Sequence, residues 1–200
     1  MTTNDSPSSN TSLIVAIGAS AGGFKEIVTI VEGLPCWFAG TLIIATHREP
    51  KHENVLADIL ARRARIRVDE PEDEECLECT TIYVGHSDET VEVDGDEFDV
   101  EVDTSRYARM HRIDDLFKSV AESAGRNAVG VILSGMLSDG TEGMRAIKSA
   151  GGRCIIQSPS DADCPSMPLH ALAEVDPVFV GTAAEIASFL MELALDETCH

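Results

Sequence analysis

The chain has 200 residues, with 35 Asp and Glu against 15 Lys and Arg, for a net charge of −20. A pI near 4.4 excludes a phosphate-backbone binder, which needs clustered Lys and Arg, and disfavours an anionic membrane surface for the same reason. Hydrophobic residues make up 44% and charged ones 25%, an ordinary globular balance long enough for one domain with a sizeable core.

Residues 1–12 are polar, with neither a basic start nor an apolar segment, and read as a disordered lead-in rather than a signal or anchor. The globular domain is expected over 13–196. No apolar run reaches the roughly 18 residues of a bilayer span, so no membrane insertion is expected. Leu13-Ile14-Val15-Ala16-Ile17 is continuously apolar, as in a parallel strand covered on both faces. Phe24, Ile27, Val28 and Val31 then mark one face of a helix, which Gly33 and Pro35 end. A second buried strand over 41–46 is followed by a helix carrying Val55, Leu56, Ile59 and Leu60 on one side.

The middle changes character. Short β-branched segments fall at 81–84, 90–93 and 98–102. Asp94-Gly95-Asp96 separates the last two as a hairpin turn, so a small antiparallel excursion is expected here. The strand–helix alternation then resumes: a helix over about 113–123, a strand over 129–133, a helix over 140–150, strands at 154–156 and 178–180, and a final helix over about 183–195. This is the pattern of right-handed parallel crossovers. The predicted fold is α/β, a three-layer α/β/α sandwich with a mostly parallel sheet and a small antiparallel hairpin.

Six cysteines fall at 36, 76, 79, 154, 164 and 199. Cys76-Leu77-Glu78-Cys79 is their one close pair. A structural zinc site needs a second pair at matching spacing, so the cysteines read as reduced thiols, with no metal and no cofactor expected. A reduced-thiol chain without a targeting signal suggests a cytoplasmic protein.

Ligands and catalytic groups of open parallel sheets collect at the carboxyl ends of strands. Gly18-Ala19-Ser20-Ala21-Gly22-Gly23 satisfies Gly-x-Ser-x-Gly, whose small neighbours let a Ser sit on a sharp strand-to-helix turn with its hydroxyl exposed. The following amides can face a developing oxyanion near the helix N-terminus. The plainer reading is a Gly-rich turn that packs tightly or holds an anion. His47, just after the second strand, is placed for general-base work, against the plainer reading of a surface-loop His. Asp139, after the 129–133 strand, can orient an imidazole; with Glu142 it can also cap the next helix through a capping box. Ser, His and Asp supply the three residue types of a charge-relay hydrolase. Their order differs from the Ser, acid, His order of α/β-hydrolases.

Here the chain resembles the catalytic domain of the chemotaxis protein-glutamate methylesterases, the CheB-type family, from Ile14 to about Leu193. The motifs are 18–23, the His-x-x-Pro of His47 to Pro50, the run from Asp114 to Glu122, the run from Ala128 through Met136 to Gly140, and Met167-Pro168. The resemblance implies a three-layer α/β/α fold and a triad of Ser20 as nucleophile, His47 as base and Asp139 as orienting acid. Ala21 and Met136 would line the oxyanion site. The implied reaction is hydrolysis of glutamate methyl esters, with Gln deamidation in some members, and the implied partner is the methylated cytoplasmic domain of a chemoreceptor. A non-enzymatic signalling module of the same fold and a hydrolase of another ester or amide are the alternatives.

The chain departs from the family pattern at four points. Ala21 stands where members often have Thr, Met110-His111-Arg112 where Arg-Pro-Ser is common, and Leu137 where Gly is common. With residues 1–12 alone ahead of the first strand, no N-terminal receiver domain is expected. An acidic substrate would be repelled by this chain, so Arg48, Arg109 and Arg112 are the expected docking cations, and moderate salt is expected to raise turnover.

Overall fold

A computed structural model describes residues 13–48 and 54–198. The expected lead-in over 1–12 and Pro50 of the His-x-x-Pro motif lie outside the described residues. The elements run β1 (Leu13–Ala19), α1 (Gly23–Gly33), β2 (Gly40–Thr46), α2 (Val55–Ala61), β3 (Arg67–Asp69), β4 (Thr81–Val84), β5 (Glu89–Asp94), β6 (Glu97–Val102), α3 (Arg106–Ala124), β7 (Ala128–Ile132), α4 (Thr141–Ser149), β8 (Arg153–Gln157), α5 (Ser166–Glu174), β9 (Phe179–Gly181) and α6 (Ala183–Thr198). No helix among the described residues is long and apolar enough to cross a membrane.

Seven strands form one parallel sheet in the order β3-β4-β2-β1-β7-β8-β9. Successive strands step one way from β1 to β2 and the other way from β7 to β9, so β1 and β7 flank the point where the winding reverses. Right-handed crossovers then put helices on opposite faces. On one face Ile27, Ile30 and Val31 of α1, Leu56 and Leu60 of α2, and Ile186 and Leu190 of α6 pack on Val15, Ile17 and Leu42. On the other, Ile113 and Phe117 of α3, Met144 and Ile147 of α4, and Met167 and Ala171 of α5 pack on Ala16, Ile43 and Ile132. This is the expected three-layer α/β/α architecture. A sheet buried on both faces explains why β1, β2 and β7 read as unbroken apolar runs.

The middle segment divides. Only β5 and β6 form the antiparallel hairpin, with Val91, Val93 and Phe98 buried over α3. Ser119 and Ser123 fasten it: Ser119 Oγ accepts the Val93 amide (3.0 Å) and Ser123 Oγ donates to the Val93 carbonyl (2.8 Å). The 81–84 segment, buried along its whole length, joins the main sheet beside β2.

Three elements differ from expectation. Helix α3 begins at Arg106, where Ser105 Oγ accepts the Ala108 amide (3.1 Å); its first two turns carry Arg106, Arg109 and exposed Tyr107 and Met110, which hid the apolar stripe. Strand β3 is a three-residue edge with one apolar side chain, too little for a periodicity signal. Helix α5 tolerates Pro168 because it lies in the first turn, where a backbone N–H has no intrahelical partner.

Candidate active site

Strand register brings the first two candidates together. Ala19 of β1 pairs with Thr46 of β2, so Ser20 and His47 leave neighbouring parallel strands side by side, and the His47 amide donates to the Ala19 carbonyl (3.2 Å). Asp139 arrives from the loop after β7, the other neighbour of β1. His47 Nε2 lies 2.6 Å from Asp139 Oδ2, with the imidazole 20% exposed and the carboxylate 3% exposed.

Asp139 does not cap α4, contrary to the capping-box reading. Gly140 holds the N-cap position with φ 91° and without a side-chain cap, and Glu142 turns outward to Arg145. The carboxylate instead faces α3, where it accepts the amides of Ile113 (3.1 Å) and Asp114 (2.9 Å). Those two bonds fix the carboxylate plane, and the plane fixes the imidazole. Asp114 in turn accepts the Gly143 amide at 2.8 Å, and burial raises its carboxyl above the ordinary range. His111, Asp114 and Asp139 bring possible ligand atoms within 4.8 Å, but Asp139 is already committed to His47 and the two amides.

The turn at Ser20 is built on glycine rather than on a strained serine. Positive φ falls on Gly22 (φ 80°), the residue before α1, and a Cβ there would meet Ser134 Oγ at 2.7 Å and Asp163 Cβ at 2.8 Å. Across from it, a Cβ on Gly135 would lie 2.9 Å from Ser20 Cβ and 2.0 Å from Met167 Sδ, so Gly135 and Met167 form the wall behind the serine.

Ser134 and Gln157 are positioning residues that sequence reasoning missed. The fully buried Ser134 accepts the Ser20 amide on its carbonyl (2.9 Å), while its Oγ donates to the Ala21 carbonyl (2.9 Å) and accepts the Cys164 amide (2.9 Å). Gln157 Oε1 accepts the Ser134 amide (2.8 Å). The signal was present, since a polar Ser-Gly pair directly after a buried strand has its hydroxyl where the core is, and such a hydroxyl needs partners. Ala21 and Met136 are exposed on either side of this junction, and the Met136 amide is without an acceptor among the described residues.

Two cavities meet at His47. One, of about 360 Å³, is lined by Ser20 and His47 on one side and by Phe24, Ile27, Leu56 and Ile59 on the other. The second, of about 540 Å³, is lined by His47, Arg48, Arg106, Arg109, Met110 and Arg112. Of the three expected docking cations only Arg109 is exposed. Arg48 is half-buried, donating to Asn54 Oδ1 (2.8 Å) and the Gly85 carbonyl (2.6 Å), and burial with nearby Arg112 lowers its pKa to about 10. Arg112 is 5% exposed. Both are walls of the cleft rather than surface charges.

The family model described as CheB methylesterase matches residues 15–190. The chain belongs to the CheB methylesterase family. The protein-glutamate methylesterase/protein-glutamine glutaminase of Escherichia coli strain K12 is 36% identical over 163 residues, which are 80% of this chain and 46% of that protein. The protein of the same name from Salmonella typhimurium strain LT2 is also 36% identical over 163 residues. The chain thus spans less than half the length of these relatives. The crystal structure of the Thermotoga maritima CheB methylesterase catalytic domain superposes with a TM-score of 0.81 at 27% identity, covering 91% of this chain and 98% of that one.

Proposed function

We propose that this CheB-family chain is a serine hydrolase that removes methyl groups from glutamate methyl esters, and ammonia from the corresponding glutamines, on the cytoplasmic helices of chemoreceptors. The observation that carries the reading is the 2.6 Å His47–Asp139 contact beside Ser20, at the ends of adjacent strands. The names of the relatives supply the substrate class.

In this mechanism Nε2–H of His47 donates to Asp139, which leaves Nδ1 as the base. Ser20 Oγ attacks the ester carbonyl as Nδ1 takes its proton, and Asp139 stabilises the imidazolium. The oxyanion is held by amides following Ser20 and at Met136, whose N–H has no acceptor among the described residues and so suits that role. The tetrahedral intermediate collapses, the C–O bond to methoxide breaks, and His47 returns the proton so that methanol leaves. Water, deprotonated by His47, then attacks the acyl-enzyme and frees the glutamate carboxylate and Ser20. The apolar wall of Phe24, Ile27, Leu56 and Ile59 suits the aliphatic part of an esterified side chain.

The test is methanol release from a methylated receptor fragment. Wild type should release it, and Ser20→Ala should be slower by several orders of magnitude; equal release by the two proteins sinks the reading. A serine-directed phosphonate that fails to label Ser20 at high concentration would favour a non-enzymatic module instead.

A further inference from the structure

The second cavity is chemically unlike the rest of the molecule. In a chain of net charge −20, four of the 15 basic residues line one pocket. Arg106, Arg109 and Arg112 recur every third residue along one side of α3, and Arg48 closes the pocket from the end of β2. Arg106 and Arg109 are exposed at the rim, and Arg112 is buried.

Carboxylates act on this group only from a distance: Glu70 on Arg48, and Asp139, Asp88 and Asp103 on Arg112. Among the described residues no carboxylate forms an ion pair with any of the four arginines, although 35 acidic side chains are available in the sequence. Arg112 Nε and Nη2 and Arg48 Nε are buried without a hydrogen-bond partner among the described residues. A guanidinium stripped of water and left unpaired is costly, and such donors normally have partners. Burial above all, with the positive charge of Arg109 adding, holds the Arg112 pKa below its ordinary value even though Asp139, Asp88 and Asp103 oppose them; an anion entering the pocket would relieve that burden.

We propose that the pocket formed by Arg48, Arg106, Arg109 and Arg112 beside His47 is a carboxylate subsite that receives an acidic side chain of the substrate next to the residue whose ester is cleaved. The proposal rests on the hydrolase reading above and names its specificity. Planar guanidinium forks match carboxylates in bidentate geometry, which compact ammonium groups do not. The pocket shares His47 with the cavity that holds Ser20, so one peptide can place its ester at the nucleophile and a neighbouring carboxylate among the arginines. Recognition of this kind also explains how so acidic a protein could act on an acidic substrate.

The experiment uses two glutamate-methyl-ester peptides that differ only at the neighbouring residue, Glu in one and Gln in the other. Binding to the Ser20→Ala protein is measured by fluorescence anisotropy, and kcat/KM is measured with wild type. The Glu peptide should bind about tenfold or more tightly than the Gln peptide, the size of a charge-assisted hydrogen bond. Arg109→Gln, an exposed substitution with little risk to folding, should bring the ratio close to one, and Arg112→Lys should reduce it by removing the fork while keeping the charge. Equal binding of the two peptides, or an unchanged ratio in Arg109→Gln, overturns the proposal. So does tight binding of inorganic phosphate or succinate with no preference between the peptides, which would mark a small-anion site. The two readings fail separately. If wild type cleaves neither peptide while Ser20→Ala still prefers the acidic one, the subsite stands and the hydrolase reading falls. Equal cleavage with equal binding does the reverse.

Discussion

His47 Nε2 donates to an Asp139 carboxylate that is itself gripped by helix α3, through the amides of Ile113 and Asp114 at 3.1 and 2.9 Å. Three N–H donors therefore converge on two oxygens, and one group joins the end of β2, the loop after β7 and a helix of the opposite layer.

Asp139→Asn should be far more damaging than its size suggests. An amide offers one acceptor oxygen and a donating nitrogen, so one of the three donors must face another donor. Either an α3 amide is orphaned or His47 is forced into the wrong tautomer. The expected result is a loss in kcat of roughly 10⁴-fold, by analogy with the serine proteases. A lower melting temperature should accompany it, since an unsatisfied buried donor costs about 1–3 kcal/mol. Steady-state kinetics beside thermal denaturation checks both, and activity within tenfold of wild type would remove Asp139 from the machinery.

How far the site could be read in the sequence follows from the same geometry. Ser20 and His47 were legible as candidates because each directly follows a buried apolar strand, and Asp139 because it lies in the loop after another; strand ends are where a doubly wound sheet exposes function. The capping role suggested for Asp139 was wrong because local sequence cannot reveal a tertiary partner: the amides of Ile113 and Asp114 in α3, well outside the local turn, compete for the same carboxylate. Ser134 was hidden for a related reason, since its partners at Ala21, Cys164 and Gln157 are distant in sequence. Of the arginine pocket, Arg48, Arg109 and Arg112 were picked out singly and Arg106 was not, and the burial of Arg112 depends on how α3 crosses the end of β2, which no periodicity reports. Helix α5 and strand β3 escaped because one begins with a proline in its first turn and the other has a single apolar side chain.

Leu137 is strained. It has φ 67°, in the left-handed region, and is 56% exposed, with its carbonyl held by Ser166 Oγ at 3.0 Å. An L-residue pays about 1–2 kcal/mol there, while glycine loses some of that gain through its freer unfolded chain. Little packing is lost from so exposed a side chain. Leu137→Gly should therefore raise stability by about 0.5–1 kcal/mol, or a few degrees in melting temperature for a chain of this size. Calorimetry decides it, and a lower melting point would show that the leucine makes a contact worth more than the strain.

Glu26 sits inside α1 at 4% exposure, and its Oε2 has no hydrogen-bond partner among the described residues. Burial above all, with the negative charge of Asp163 adding, raises its pKa above the usual carboxylate range. Between the unfolded and the raised folded pKa, the native state binds more protons than the unfolded one, so stability falls as pH rises through that window. Glu26→Gln should be more stable than wild type at pH 7, and its advantage should shrink as the pH is lowered through the carboxylate range. Denaturant titrations across that range provide the check; a pH-independent difference would mean that the effect is steric.

The charge of −20 and the arginine pocket act over different distances, and salt separates them. Repulsion of an acidic receptor fragment operates beyond contact and is largely screened once the Debye length shrinks to about 10 Å, near 0.1 M salt. Arginine–carboxylate contact inside a partly dry cavity is screened much less. Raising salt from about 0.01 to 0.1 M should therefore increase kcat/KM for an intact acidic receptor fragment, because encounter improves more than the contact weakens. A small uncharged methyl ester should respond little over the same range, which separates encounter from chemistry. A steady fall for the fragment would mean that attraction at the cleft already outweighs the field of the whole molecule, and the net charge would then have no part in setting the rate.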